Sequence, residues 1–183
     1  EMKTLFYRPF QTLSFLLDYH LWRLNPAGYH LTNILLHSLV GVCVFLLVGM
    51  LLRTRSEAKK SHEKWAFLAA LLFLVHPAHT EAVAYISGRA DVLAGLFCLL
   101  SLLAYICFRN SVSIKEKSIW YTGSILGFLC AILSKESALA GIAIFISYDL
   151  IDYRKIGKRF SKTAYLPFLG IIIIYGVVRA LTH

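Results

Sequence analysis

An all-α fold, a polytopic bundle of membrane-spanning helices, is what this chain predicts, and three observations predict it. Of its 183 residues 58% are hydrophobic, with a mean hydropathy of +0.65, whereas soluble domains lie nearer about 45–50% apolar. The apolar residues form long runs broken by short polar loops. The cations gather in alternate loops, the pattern of a chain threaded back and forth across a bilayer.

The first element is unlike the rest. Across residues 1–28, Leu5, Phe6, Phe10, Leu13, Phe15, Leu16, Leu17, Leu21 and Trp22 are mixed with Arg8, Gln11, Asp18, His20 and Arg23. That mixture suits an amphipathic helix lying at the membrane surface, ended by Asn25-Pro26. Residues 29–183 then form the bundle, so that 1–183 is one membrane domain. Tyr29 to Leu52 is a full crossing. Trp65 to about Val75 is short and extends through Ala82–Ile86. Val92–Phe108 spans next. Ile119–Leu133 follows, with Trp120 and Tyr121 as interfacial anchors. Leu139–Ile151 is short, and Ala164–Leu181 is the last span. The expectation is about six transmembrane helices plus the N-terminal interfacial helix.

Thirteen of the 19 lysines and arginines fall in three loops, Arg53–Lys64, Arg109–Ser118 and Asp152–Lys162. Six spans put all three loops on one face, which is then cytoplasmic. The same segregation explains the net charge of +9 without nucleic acid as a partner. The bilayer itself is the partner the composition demands. Cys43, Cys98, Cys107 and Cys130 all sit inside apolar runs and behave as small buried hydrophobes. They carry no information about redox compartment.

Three polar clusters fall on the opposite, extracytoplasmic edge: Tyr7-Arg8-Pro9, the stretch His76 to Asp91, and Ser134-Lys135-Glu136. Ionisable groups at a membrane edge are costly and point to a task. His76 and His79 share a helical face, and with Glu81 they are candidates for a divalent cation. The competing reading is a helix end broken by Pro77 at a polar interface. Arg89 offers a planar fork suited to phosphate, Gly88 permits close backbone approach, and Asp91 begins the next helix. The competing reading there is a helix cap and a snorkelling arginine. Lys135 and Glu136 form either a self-neutralising turn or a headgroup contact. Together Arg8, Arg89 and Lys135 are cations for a phosphate, with Glu81, Asp91 and Glu136 as acids to balance it. A direct phosphate role predicts that Arg89→Ala abolishes activity while leaving expression intact. His30, Asn33 and His37 form one stripe at the start of the first span. Asn33 reads as interhelical glue.

These residues, in this order, carry a resemblance. Tyr7-Arg8-Pro9, Tyr29-His30-Leu31-Thr32-Asn33-Ile34-Leu35-Leu36-His37, His76-Pro77-Ala78-His79-Thr80-Glu81-Ala82-Val83, Gly88-Arg89-Ala90-Asp91 and Lys135-Glu136 resemble the membrane domain of the transmembrane-and-TPR O-mannosyltransferase family (TMTC) and its bacterial relatives. The likeness runs from about Leu5 to Ile151. It implies a GT-C-like membrane glycosyltransferase. Such an enzyme takes a sugar, usually mannose, from a polyprenyl-phosphate-linked donor. It places the sugar on Ser or Thr of an acceptor protein at the extracytoplasmic face. The resemblance implies substrate-binding roles for Arg8, His79, Glu81, Arg89, Asp91, Lys135 and Glu136. It further implies that a first helix, an acidic pair carrying the general base, and a TPR region belong to the parent outside this stretch. The chain then reads as a fragment, inactive alone. Metal dependence stays open, with His76, His79 and Glu81 as the candidate ligands.

Two other readings compete. A transporter or lipid-carrier flippase needs polar groups through the bilayer depth and an inverted repeat; here the polar groups cluster at one face. A non-catalytic scaffold needs no concentrated polar cluster. The topology suits a bacterial inner membrane or an ER membrane, with the active face extracytoplasmic.

Overall fold

The computed structural model describes residues 8–53, 59–156 and 162–182. Among these the chain is helical throughout, with no strand. Helix α1, Pro9–Trp22, starts on a proline at its first position, where the missing N–H costs nothing. It ends at Arg23, whose φ of 55° turns the chain back. The Asn25 side chain then accepts the backbone N–H of Ala27 at 3.1 Å and opens α2, Pro26–Arg53. Asn25-Pro26 is thus the expected stop, and it is also a start, three residues ahead of the expected span.

Helix α3, Lys59–Leu74, packs back along α2. Pro77 cannot continue it, and the chain breaks into a 3-10 turn, Pro77–His79, a single α-turn α4, Thr80–Ala84, and a second 3-10 turn, Ile86–Gly88. The two arms of this broken element are bent by 50°. Helix α5, Arg89–Asn110, then runs the length of the bundle. It is the central helix. Eleven of its residues are buried, and it packs against both α2 and α6, Ile114–Ser134. The α5–α6 contact is close because Gly127 lies on Ser101. A Cβ on Gly127 would meet Ser101 backbone atoms at 3.1–3.2 Å. The Ser101 hydroxyl donates to the Ser124 carbonyl at 2.5 Å. A 3-10 turn, Glu136–Ala140, leads to α7, Gly141–Ile156, and another, Lys162–Tyr165, leads to α8, Leu166–Thr182.

The core is aromatic. Tyr105 of α5, Phe128 of α6, Phe145 of α7 and Phe168 of α8 are each essentially buried. Phe128, Phe145 and Phe168 form a mutual triangle with centroids 5.2–6.0 Å apart, a favoured range for ring pairs. Outward-facing surfaces are apolar in the opposite sense to a soluble protein. Leu35, Leu39, Leu72, Ile173 and Ile174 are all largely exposed, as lipid-facing residues are.

Among the described residues four helices are long and apolar enough to cross a membrane: Pro26–Arg53, Ile86–Asn110, Ile114–Ser134 and Thr163–Leu181. The bent pair Ser61–Leu74 and Pro77–Ala84 makes a fifth if it is one broken span. The sixth expected span is α7. Its 16 residues reach about 24 Å at 1.5 Å per residue, short of a hydrocarbon core of about 30 Å. The 3-10 turn before it extends the element toward the charged end.

Candidate functional site: a charged end of the bundle

Helix α1 sits across one end of the bundle with its polar side inward. Leu13, Leu16, Leu17 and Leu21 are exposed, while Asp18 is buried against the other helices. This is the arrangement of an interfacial helix that offers leucines to the bilayer and a carboxylate to its own protein. Residues 1–7, with Tyr7 of the Tyr7-Arg8-Pro9 motif, lie outside the described residues.

Asp18 receives Arg89. The Arg89 Nη2 stands 2.5 Å from Asp18 Oδ2, and both side chains are almost completely removed from solvent. Asp18 Oδ1 also accepts the Thr32 hydroxyl at 2.8 Å. The rest of the guanidinium is used as well. Arg89 Nε donates to Asn33 Oδ1 at 2.7 Å, Nη2 to the Tyr29 carbonyl at 2.9 Å and Nη1 to the Ser14 carbonyl at 3.4 Å. Its plane lies over the Phe15 ring at 4.6 Å, a stabilising cation–π geometry. Asn33 completes the network by donating to the Val83 and Tyr85 carbonyls, both at 3.3 Å. It therefore ties α2 to the broken segment, the glue role expected of it. Gly88 is required beside this network, because a Cβ there would meet the Ala82 carbonyl oxygen at 2.7 Å and the Ala82 Cα at 2.9 Å.

This geometry corrects the expectation that Arg89 contacts a phosphate. A guanidinium that is 0% exposed and bonded on three sides by protein has no edge left for a ligand. Its position at the start of α5 is electrostatically adverse, since the helix N-terminus is already positive. The carboxylate of Asp18 offsets that. Arg89 is a strut joining α1, α2 and α5.

The remaining cations lie nearer the surface. Lys135 Nζ pairs with Asp91 in the first turn of α5. The Arg8 Nη2 pairs with Glu136 Oε1 at 3.1 Å, and its Nε approaches Oε2 at 3.4 Å. Partial burial pushes the Glu136 carboxyl up. The two-pronged hydrogen bond from Arg8 outweighs that, with a smaller pull from Arg179 of α8, and the carboxyl is held below its ordinary value. Both ion pairs remain partly open to solvent. The structure thus brings Arg8, Glu136, Lys135, Asp91 and Arg89 to one end, from three stretches far apart in sequence. Arg179 joins them from the last turn of α8, a residue the sequence reading left aside.

His76, His79 and Glu81 lie on the broken segment beside α2. Glu81 is exposed. The rings of His76 and His79 are 5.9 Å apart, and His79 packs on Phe73 at 4.2 Å. Among the described residues no three His, Cys, Asp or Glu side chains come together as a metal-holding group. His76 is spoken for in another way, since its Nδ1 accepts the backbone N–H of Ala78 at 3.2 Å. The set His76, His79 and Glu81 is therefore not assembled as metal ligands.

Sequence reasoning missed two buried acids. Asp18 is one; an isolated carboxylate among leucines at a membrane edge is the signal that it needs a partner. Asp149 is the other, at the opposite end of α5. It accepts the hydroxyls of Tyr105 and Tyr165, each at 2.7 Å, and Arg109 Nε stands 3.3 Å from its second oxygen. This second network locks α7 and the entry to α8 onto α5.

Comparison with known proteins agrees with the motifs. The chain is 42% identical over 162 residues to the mouse protein O-mannosyl-transferase TMTC2, covering 87% of this chain. It is 38% identical over 191 residues to human protein O-mannosyl-transferase TMTC4, covering 96% of this chain. It is 33% identical over 177 residues to protein O-mannosyl-transferase F38B6.6 of Caenorhabditis elegans, covering 97% of this chain. This chain belongs to the TMTC protein O-mannosyl-transferase family. It spans 18% of the mouse relative, 26% of the human one and 23% of the nematode one. No family model matches the chain, and no solved structure matches it. As a TMTC chain it is a multi-pass, helical membrane protein, and the ion-paired end of its bundle is built from the motifs that mark the resemblance.

Proposed function

We propose that this TMTC chain forms part of a membrane glycosyltransferase. The enzyme moves a sugar, mannose first among candidates, from a polyprenyl-phosphate donor to a Ser or Thr hydroxyl of a protein on the extracytoplasmic side. The observation that carries the reading is the pair of partly open ion pairs, Lys135–Asp91 and Arg8–Glu136, at the same bundle end. Each joins a cation to a carboxylate on a different element. A donor phosphate at headgroup depth can replace the carboxylate as the partner of Lys135 or Arg8 without either cation leaving the surface. The names of the relatives support the transferase class, and the segregation of cations into three loops supports the sidedness.

In such a transfer the acceptor oxygen bonds to the anomeric carbon as the bond from that carbon to the phosphate oxygen breaks. The hydroxyl proton passes to a carboxylate base. The leaving phosphate gains negative charge, and Lys135 and Arg8 stabilise it. Fixed charges aimed at a developing anion are among the larger contributions to catalysis. Arg89 touches no reacting group in this scheme. It holds α1, and with it Arg8, against the bundle.

The test is transfer of labelled mannose from polyprenyl-phosphate mannose by the full-length protein in membranes. Lys135→Ala lowers the rate on the order of 100-fold if Lys135 stabilises the leaving phosphate. Undiminished transfer by Lys135→Ala together with Arg8→Ala removes the phosphate role. Transfer from a nucleotide sugar but not from the lipid-linked one removes the donor assignment.

A further inference from the structure

Beside α2 the broken segment leaves a groove. A cavity of about 340 Å3 opens there, with His30, His37, His76 and His79 on its walls. A second cavity of about 460 Å3 shares His30 and Ala84 with it and reaches Phe15 of α1. Three of the four imidazoles form a chain. His79 stands in the middle, its ring 5.5 Å from that of His37 and 5.9 Å from that of His76. His37 and His79 also share a neighbour, Phe73, at 5.7 and 4.2 Å.

The cluster lies at a joint. His37 belongs to α2 and Phe73 to the last turn of α3, while His76 and His79 flank the Pro77 turn, where the two arms bend by 50°. Beyond the turn, Asn33 holds the Val83 and Tyr85 carbonyls. Before it, His37 Nε2 lies 3.3 Å from the Leu74 carbonyl. A carbonyl only accepts, so this contact needs a proton on Nε2 and survives a second proton on Nδ1. The Ala78 contact is of the other kind. Its N–H donates to His76 Nδ1, and a proton on that nitrogen excludes the bond. The stretch between the two fixed points, residues 76–82, is therefore the part that protons can loosen.

Added positive charge at the joint has no ready counter-ion. Among the described residues no carboxylate, lysine or arginine lines either cavity, and Tyr85 is the one titratable wall residue besides the histidines. On the elements packed around the cluster, Asp18 of α1 is paired with Arg89 of α5, and Asp91 of α5 with Lys135. His20 of α1 and Glu81 of α4 are exposed and off both walls. Arg53 of α2 and Lys59, Lys60, His62, Glu63 and Lys64 of α3 lie at the opposite ends of those helices. A first imidazolium is accommodated by the face of Phe73. A second meets the first across less than 6 Å, in a groove walled mainly by carbon, where like charges repel more strongly than in water.

We propose that the imidazole cluster is an acid-operated latch. Near neutral pH it holds the Pro77 turn against α2. In mild acid a second proton drives the turn outward about the Asn33 anchor and opens the groove. Histidine titrates between about pH 5 and pH 8, so the change falls in a range that leaves the carboxylate pairs intact. The latch adds a control beside the charged end and stands whichever group the chain transfers.

Spin labels at Leu35 of α2 and Ala78 of the turn, on the full-length protein in nanodiscs, read the latch without turnover. Between about pH 7.5 and about pH 5 a longer distance is expected to replace the shorter one. His79→Gln, which cannot become charged, should stay closed at both, and His79→Arg, always charged, should be open at both. The Leu13–Ser137 distance is the control, because the Arg8–Glu136 pair holds through this range. A distance that does not move in the parent sequence, or an equal opening in His79→Gln, overturns the proposal. If His79→Gln loses the control distance at neutral pH, His37→Gln takes its place, since its amide still donates to Leu74; acid opening undiminished in that variant overturns the latch. Opening lost in Glu81→Gln but kept in His79→Gln assigns the response to the acid and overturns it too. Failure of mannose transfer in the separate assay removes the transferase reading and leaves the latch standing.

Discussion

The guanidinium of Arg89 meets the carboxylate of Asp18 at 2.5 Å inside the bundle, with both side chains closed off from solvent. An arginine at the head of a long helix is thereby neutralised by an acid on a helix that lies across the membrane edge. The pair fixes where α1 sits, and α1 carries Arg8. The stability and the chemistry of this end are therefore linked through one buried contact.

Removing one partner of a buried pair leaves the other charge uncompensated, at about 3–5 kcal/mol. Arg89→Ala and Asp18→Ala should each lower the thermal transition of the purified protein and reduce its level in membranes. The double substitution to an uncharged pair, Asp18→Asn with Arg89→Gln, should recover part of that loss. Arg89→Ala with normal expression, normal melting and no transfer would instead restore Arg89 to the substrate, as its motif alone implies.

Gly88 sits where a methyl group would strike the backbone of Ala82. Gly88→Ala should push the broken segment away from α5 and loosen the hydrogen bonds from Asn33 to Val83 and Tyr85. An overpacking cost of about 1–3 kcal/mol is expected. Hydrogen exchange of the 76–88 amides is the measurement. Faster exchange there with an unchanged α5–α6 pair is the expected pattern.

The Arg8–Glu136 pair predicts an acid response. A carboxyl held below its ordinary value of 4.5 contributes stability that is complete above that value and is lost as pH falls through its lowered value. The N-terminal end of α1 should stay docked at pH 5 and release only well below pH 4.5. Spin labels at Leu13 and Ser137 would report the separation. In Glu136→Gln the distance should no longer depend on acid, and because a partly exposed pair is worth about 0.2–1 kcal/mol, the rest of the fold should survive.

Asp149 should matter for architecture alone. Asp149→Ala removes a buried carboxylate from Arg109 and the acceptor shared by the Tyr105 and Tyr165 hydroxyls, a loss of about 3–5 kcal/mol. Tyr105→Phe removes one hydrogen bond and should cost about 1 kcal/mol. Melting curves of the two variants should differ accordingly. Mannose transfer per folded molecule should remain that of the parent sequence.

Helical class, the interfacial first helix and the Asn25-Pro26 break were legible because local chemistry decides them: an apolar run, a mixed run, and a cap followed by proline. The gathering of Arg8, Lys135 and Glu136 was legible because span counting puts them at one membrane edge. The role of Arg89 was not. A Gly-Arg-Ala-Asp stretch reads the same whether its arginine points out to a ligand or in to Asp18, and only the packing of α1 on α2 decides between them. His76 shows the same limit. Its spacing to His79 suggests a ligand pair, yet the turn imposed by Pro77 swings the Ala78 N–H onto its Nδ1. Span count was blurred by α7, whose short apolar run gains its anchorage from Asp149 and not from its length.

Every group that receives the guanidinium of Arg89 precedes it in the chain: Ser14, Asp18, Tyr29 and Asn33. During synthesis the receptor for that charge is complete before the arginine emerges. Insertion of α5 can then proceed with its leading cation already matched, and no naked arginine has to wait among lipid tails for a later helix. Reordering the gene so that the α1 segment follows α8 would reverse that sequence of events, making membrane insertion the step that fails.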